Sequence, residues 1–367
     1  MDIPIRTQVP VHQDLENFQV FLGAPDSPFL APRGVWMGED KLIVADTAQN
    51  RVFIWNALPT TPQAEPDVVL GQAQSTQTGR NAGGPATAST FHYPSGIWSN
   101  GELLMVADAW NHRTLIWTTF PTHHAQPADL VLGQPDFHGC EPNVGGITAR
   151  PSAQSLNWPY GLWSNGEELW IADTGNRRIL YFDSIPQQSF APADLVLGQE
   201  DFQTRDYDSD HPVWPYAVKI GPHGELAVPD TQFFRVLLWS HWKDALDQPP
   251  SAIIGQRNLK ENGQNQFRWK PGPNTMNWTY DAHFHEKGLW AVDTGNSRLL
   301  WFPSIPDEPD CEAEAVLGQP DFSTGSENAQ TIQGTESTMY WPFAISIHGQ
   351  KMAIADTGNH RILFTDL

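Results

Sequence analysis

Cysteine is almost absent from this chain: Cys140 and Cys311 are the only two in 367 residues. They are too few for a disulfide framework or a cysteine-built zinc motif, and neither stands in a C-x-x-C pair. Basic residues are also scarce, 21 Lys and Arg against 42 Asp and Glu, for a formal net charge of -21. With no basic stretch to release counterions, a nucleic-acid partner is not expected. The acidity instead favours solubility and attraction for cations or a basic protein face. No apolar run approaches the length of a membrane span. The opening MDIPIRTQVP carries neither the charged nor the apolar region of a secretory signal, so a cytoplasmic location is the expectation. Several catalytic signatures are missing as well: there is no Gly-rich phosphate loop, no G-x-S-x-G and no H-E-x-x-H. Glu286 beside His285 does not complete the last of these.

Other residues are plentiful. The chain has 31 prolines, 29 glycines and 16 tryptophans, with only 17% charged residues. That mixture points to short strands, many turns and aromatic packing, and away from long helices. The length allows one large repeat domain or two ordinary domains.

Self-similarity decides between them. Six segments share one pattern: LIVADTAQNRVFIW, LMVADAWNHRTLIW, LWIADTGNRRILYF, LAVPDTQFFRVLLW, LWAVDTGNSRLLWF and MAIADTGNHRILF. Their aspartates are Asp46, Asp108, Asp173, Asp230, Asp293 and Asp356, spaced 62, 65, 57, 63 and 63 residues apart. An arginine follows each aspartate five positions later, from Arg51 to Arg361. A Leu-Gly-Gln element recurs in phase, as in VVLGQAQ and LVLGQPDF, with a degenerate VFLGAPD around Gly23. An aromatic-Pro step also recurs, as in YPSGIW, WPYGLW and WPFAISI.

Each unit reads as four strands, a to d: a after the aromatic-Pro step, b ending at Asp, c beginning at Arg, d ending at Leu-Gly-Gln. The four residues between b and c form a tight hairpin that sets Asp opposite Arg. Such a cross-strand pair contributes about 0.2–1 kcal/mol and pins register. Four-stranded units at this period predict an all-β, six-bladed propeller, with strand a lining the channel. The last copy ends after strand c, so a strand near Phe18 to Gly23 is expected to complete it and close the ring. Residues 1–15 then form an arm, and residues 16–367 a single propeller domain. Blade 4 departs from the pattern with Gln232-Phe233-Phe234, where a different turn is expected.

The repeats resemble the NHL repeat family, whose Asn-His-Leu signature is echoed in Asn111-His112 and Asn359-His360 and, with substitution, in Asn176-Arg177 and Asn296-Ser297. The resemblance implies a six-bladed propeller used for protein or nucleic-acid contact, or, in some relatives, for metal-assisted lyase or lactonase-like chemistry in the channel.

Two sets of residues are candidates for function. The d-to-a connections run to about twenty residues, a length often functional in a compact domain, and they mark the loop-bearing face as the working face. At the channel mouth on that face stand Trp158, Trp214, Trp278 and Trp341, followed just past the proline by Tyr160, Tyr216, Tyr280 and Phe343. These aromatics either wedge the blades together or form a collar that stacks on a ligand. The second set lies deeper. At the fourth residue from the proline, Trp36, Trp98 and Trp163 in blades 1–3 give way to Lys219, His283 and Ser346 in blades 4–6; two residues on come His285 and His348. Asp281, His283 and His285 alternate on one strand about 7 Å apart. With His348 they offer a candidate set for a divalent metal such as zinc. Alternatively, a histidine near neutral pH beside Lys219 binds an anion or moves protons, or the histidines merely fill polar gaps. The preferred reading is a binding or scaffolding propeller for a protein partner or small ligand. The alternative is a metal-assisted lyase or hydrolase, with Asp281 or Lys219 as acid or base and His283, His285 and His348 as ligands.

Overall fold

A computed structural model describes residues 19–21, 29–207 and 210–367. The 1–15 arm, Phe18 and Gly23 lie outside the described residues. The chain builds six four-stranded antiparallel sheets arranged as the blades of one ring. In blade 1 the strands are Gly34–Met37, Leu42–Asp46, Arg51–Trp55 and Val68–Leu70. Blade 3 repeats them as Pro159–Ser164, Leu169–Asp173, Arg178–Phe182 and Leu195–Leu197. In blade 6, strands a to c are Pro342–His348, Lys351–Asp356 and Arg361–Asp366. Gln19–Phe21 lies beside the last of these, with Gln19 opposite Phe364. Among the described residues no helix is long and apolar enough to cross a membrane.

Strands b and c read as continuous apolar runs because both faces of each blade are covered by a neighbouring blade. The five residues Leu169–Asp173 are all buried, and so are Arg178–Phe182. Six apolar clusters result, one at each blade-to-blade interface. The cluster joining blades 6 and 1 packs Ala353, Ala355 and Ile362 against Val35, Val44 and Phe53, so the ring shuts there without a gap.

The Asp–Arg pair does more than pin register. In all six blades Arg Nε donates to Asp Oδ2 at 2.7–2.8 Å, and both side chains are buried. The guanidinium then reaches into the d-to-a connections. Arg178, for example, donates to the carbonyls of Phe202, Ser152 and Ser155. The Leu-Gly-Gln element completes this network. Gln134 donates to His112 O in the hairpin and to Glu141 O in the long connection, and Gln72, Gln199, Gln256 and Gln319 repeat the bridge. The long connections are therefore tied to the blade framework, since buried backbone groups must find partners. Only their tips stand free.

Blades are also stapled to one another. The threonine after the aspartate donates to a carbonyl at the start of the next blade: Thr47 to Pro94, Thr174 to Pro215, Thr231 to Thr279, Thr294 to Pro342 and Thr357 to Pro32. Blade 2 has Ala109 at this position, and there Trp110 Nε1 donates to Tyr160 Oη instead. The last hairpin residue is left-handed in every blade. Where it can accept, it takes the backbone N–H of the next blade's mouth residue: Tyr93 N–H donates to Asn50, Trp158 to His112, Trp341 to Ser297 and Ala31 to His360. The histidine of the repeat signature is thus an inter-blade acceptor. Contrary to expectation, the blade 4 hairpin keeps the common turn, with Phe234 at φ 53°.

Candidate functional site

The aromatics after the prolines meet on the ring axis and close the channel. Tyr160 stacks on Tyr216 at 4.5 Å between centroids, Tyr280 meets Tyr216 edge-on at 4.5 Å, and Phe343 stacks on Tyr280 at 4.1 Å. Blade 1 contributes Arg33 at the same position, and its guanidinium lies 4.1 Å from the Phe343 ring centroid and 5.1 Å from that of Tyr93. Burial pushes the Tyr93 hydroxyl up to about 12 and those of Tyr160 and Tyr280 higher still, so these three phenols stay neutral beside the Arg33 cation. The four rings expected to stack on a ligand stack mainly on each other. Arg33 was not singled out as a candidate, although an arginine at a repeat position held by aromatics in four other blades was a readable signal.

The tryptophans just before the prolines remain on the outer side of this plug. Trp158 and Trp214 pack at 6.1 Å. Trp278 and Trp341 are 50% and 45% exposed. Trp110, from the blade 2 hairpin, stacks on Tyr93 at 4.6 Å and is exposed to a similar degree. Trp158, Trp278 and Trp341 are held at positive φ, between 50° and 53°, a conformation that bulky residues adopt only when their surroundings enforce it. For Trp158 and Trp341 the bonds to His112 and Ser297 and the following prolines supply that restraint; Trp278 is followed by Thr279, whose carbonyl accepts from Thr231 of blade 4. The same face carries the tip of the blade 4-to-5 connection, where Trp269 is 96% exposed between Arg268 and Lys270, with Phe267 also exposed.

Below the plug the channel widens into a chamber of about 500 Å³ that reaches the turns between strands a and b. Trp36, Trp98 and Trp163 line one side, and Lys219, His283 and Ser346 the other. Asp281 is buried and lies between plug and chamber. Its Oδ1 is 3.1 Å from Lys219 Nζ, and it accepts the N–H groups of Ala282 and Ile345. Burial pushes its carboxyl upward, while Lys219 and the two N–H donors pull the other way. His283 donates from Nδ1 to Phe284 O at 2.7 Å. Burial, with Lys219 beside it, holds its pKa down at about 3, so the imidazole is neutral rather than poised near pH 7.

The expected metal set does not gather. Strand a of blade 5, Thr279–His285, shifts register between Thr279 and Ala282. Asp281 is engaged by Lys219, His283 faces the chamber, and His285 leans toward the Trp301 ring at 6.3 Å. His348 sits at the exposed chamber rim. Among the described residues no group of three or more His, Cys, Asp or Glu side chains is placed to hold a metal ion.

No family model matches the chain. It is 25% identical over 376 residues to NHL repeat-containing protein 2 of Homo sapiens, a match covering 94% of this chain and 47% of that protein. The chain thus spans about half the length of that curated relative. Among solved structures, an auxiliary nutrient binding protein from Bacteroides thetaiotaomicron superposes with a TM-score of 0.54 at 12% identity, over 95% of this chain and 75% of that one. This likeness concerns the fold alone. A catalytically inactive virginiamycin B lyase from Staphylococcus aureus, solved with quinupristin, covers 95% of this chain and 99% of its own at 11% identity. Its TM-score is 0.47, too low to support a functional comparison. Six repeats in phase, the six-bladed ring they build and the similarity running along nearly the whole chain support the resemblance to the NHL repeat family.

Proposed function

We propose that the chain is a binding and scaffolding propeller that engages a protein partner on its loop-bearing face, with the contact centred on the tryptophans at the channel mouth. The observation that carries this reading is the preorganised state of Trp278 and Trp341, both half exposed at positive φ: Trp341 is fixed by Pro342 and its bond to Ser297, and Trp278 leads directly into a strand whose first carbonyl accepts from Thr231 of the neighbouring blade. Large aromatic side chains already held in place lose little entropy on binding and dominate interface energies. The plug beneath them bars deep entry from this side, which favours a broad partner surface over a small buried ligand. The adjoining connection adds Trp269 and Phe267 among Arg257, Lys260, Arg268 and Lys270, with only Glu261 opposing. In a chain of net charge -21, this basic, aromatic tip suits an acidic segment on the partner.

The test is quantitative affinity capture from the protein's native extract, comparing wild type with a Trp278→Ala/Trp341→Ala variant of unchanged thermal stability. A specific partner should be retained by the first and depleted from the second by about 30-fold, the loss of about 2 kcal/mol expected of a hot spot. Equal recovery of every retained protein by both would sink the proposal.

A further inference from the structure

The chamber on the other side of the plug is a separate site, and its walls differ in a consistent way. Blades 1–3 present the indoles of Trp36, Trp98 and Trp163, and blades 4–6 present Lys219, His283 and Ser346. One wall is thus apolar and flat, the other polar. The polar atoms still have capacity to spare. The Lys219 ammonium has three hydrogens, and among the described residues Asp281 is its one ion-pair partner. His283 has committed Nδ1 to Phe284 O, which leaves Nε2 as an acceptor on a residue that lines the chamber. Ser346 Oγ accepts the Met37 N–H at 2.9 Å and keeps its own hydrogen to donate.

Charge narrows the ligand class. Lys219 is balanced by Asp281, and at the rim Lys41 sits 3.3 Å from Asp40 with Glu39 beside it. Among the described residues lining the chamber, no surplus positive charge is left to hold an anion. A wholly apolar ligand would strip water from Lys219 and His283 Nε2 without replacing it, at substantial cost. A volume of about 500 Å³ falls within the range of about 300–1,000 Å³ used for small molecules. A sugar ring meets all of these conditions, because its C–H faces lie flat on indoles while its hydroxyls both donate and accept. We propose that the lower chamber binds a neutral saccharide of one or two rings, laid on Trp36, Trp98 and Trp163 with its hydroxyl edge toward Lys219, His283 and Ser346.

Saturation-transfer NMR on the full chain tests this, using glucose, galactose, mannose, maltose, cellobiose and lactose, with inorganic phosphate and acetate as anionic controls. At least one sugar should bind with millimolar or tighter affinity. Trp98→Leu and His283→Leu should each weaken it by tenfold or more, while Trp278→Ala at the opposite mouth leaves it unchanged. Because a substitution in the chamber wall can cost the fold, Glu39→Trp at the exposed rim supplies a second block that leaves the chamber walls intact, and it too should abolish the signal. The proposal is overturned if no sugar in the panel binds, if binding survives the rim block, or if phosphate or acetate displaces the sugar. Trp278→Ala does not touch the chamber, so this result and the partner-capture result can fail independently.

Discussion

His112 joins blade 2 to blade 3 through a bond that a proton would break, which makes its contribution measurable. Trp158 N–H donates to His112 Nδ1 at 3.0 Å, so the ring proton of the neutral imidazole sits on Nε2. The side chain is 7% exposed. Burial first, then the charge of nearby His92, lowers its pKa from 6.5 to about 4, against a smaller opposing hydrogen bond from Asn157. Protonating Nδ1 would turn an acceptor into a donor pointing at another donor. A histidine whose folded pKa lies below its unfolded value contributes stability that is fully present above the unfolded pKa. That contribution is lost as the pH falls from about 6.5 toward 4, because there the unfolded chain binds the extra proton. Between pH 7 and pH 5 these values correspond to about 2 kcal/mol.

The comparison variant is suggested by blade 1, where Asn50 occupies the same left-handed position and accepts Tyr93 N–H through its side-chain oxygen at 3.0 Å. Asparagine tolerates this backbone conformation well, so His112→Asn keeps the staple and removes the titration. Urea unfolding of both proteins at pH 7 and pH 5 isolates the histidine, since every other titrating group, the buried His283 included, is common to the two. Wild type should lose about 2 kcal/mol more than His112→Asn over this interval. Equal losses would mean that the imidazole is not held neutral by this contact, and the inter-blade role assigned to the signature histidine would fall.

Two further outcomes follow from the framework. Arg178→Met leaves Asp173 buried without its cation and orphans the carbonyls of Phe202, Ser152 and Ser155; denaturant unfolding should show a loss of about 3–5 kcal/mol, partly restored by adding Asp173→Asn, and a loss below about 1 kcal/mol would equate the pair with an exposed one. Deleting residues 1–28 removes the strand Gln19–Phe21 from beside Arg361–Asp366 and should lower the unfolding midpoint and promote self-association through the bared edge; an unchanged, monomeric truncation would show that the ring does not depend on that strand.

The architecture was legible because it rests on period and residue type. The register of Asp173 with Arg178, and of the five pairs like it, follows from a hairpin of fixed length. The purpose of Leu-Gly-Gln was not legible. The acceptors of Gln134 are His112 O, 22 residues back, and Glu141 O, 7 residues on, and a sequence names the donor without saying which carbonyls surround it. The geometry of the histidine grouping was not legible for a different reason. Strict alternation puts Asp281, His283 and His285 on one side, but a register shift between Thr279 and Ala282 interrupts the ladder at Asp281, and Lys219 engages that carboxylate, while His283 and His285 stay in the unbroken part. Period-2 alternation assumes an unbroken ladder, and no residue type between Thr279 and Ala282 marks the shift.

The division between what repeats and what varies also separates framework from function. Asp, Arg and, in five blades, the hairpin Thr are bound into the ring. A change at any of them opens a blade or an interface, so these positions cannot take on a new task cheaply. Among the described residues, the side chains one and four positions after the proline make no hydrogen bond that recurs around the ring, and they are the ones that differ from blade to blade. Arg33, Ser95, three tyrosines and Phe343 occupy the first, and three tryptophans, Lys219, His283 and Ser346 the second. A symmetric scaffold with an asymmetric axis can therefore place a plug at one height and an amphipathic chamber at the next without disturbing its blades. The plug isolates the two ends, so a ligand in the chamber and a partner on the tryptophan face meet different residues. Binding at either end should then be independent of the other, unless the stacked rings around Arg33 rearrange.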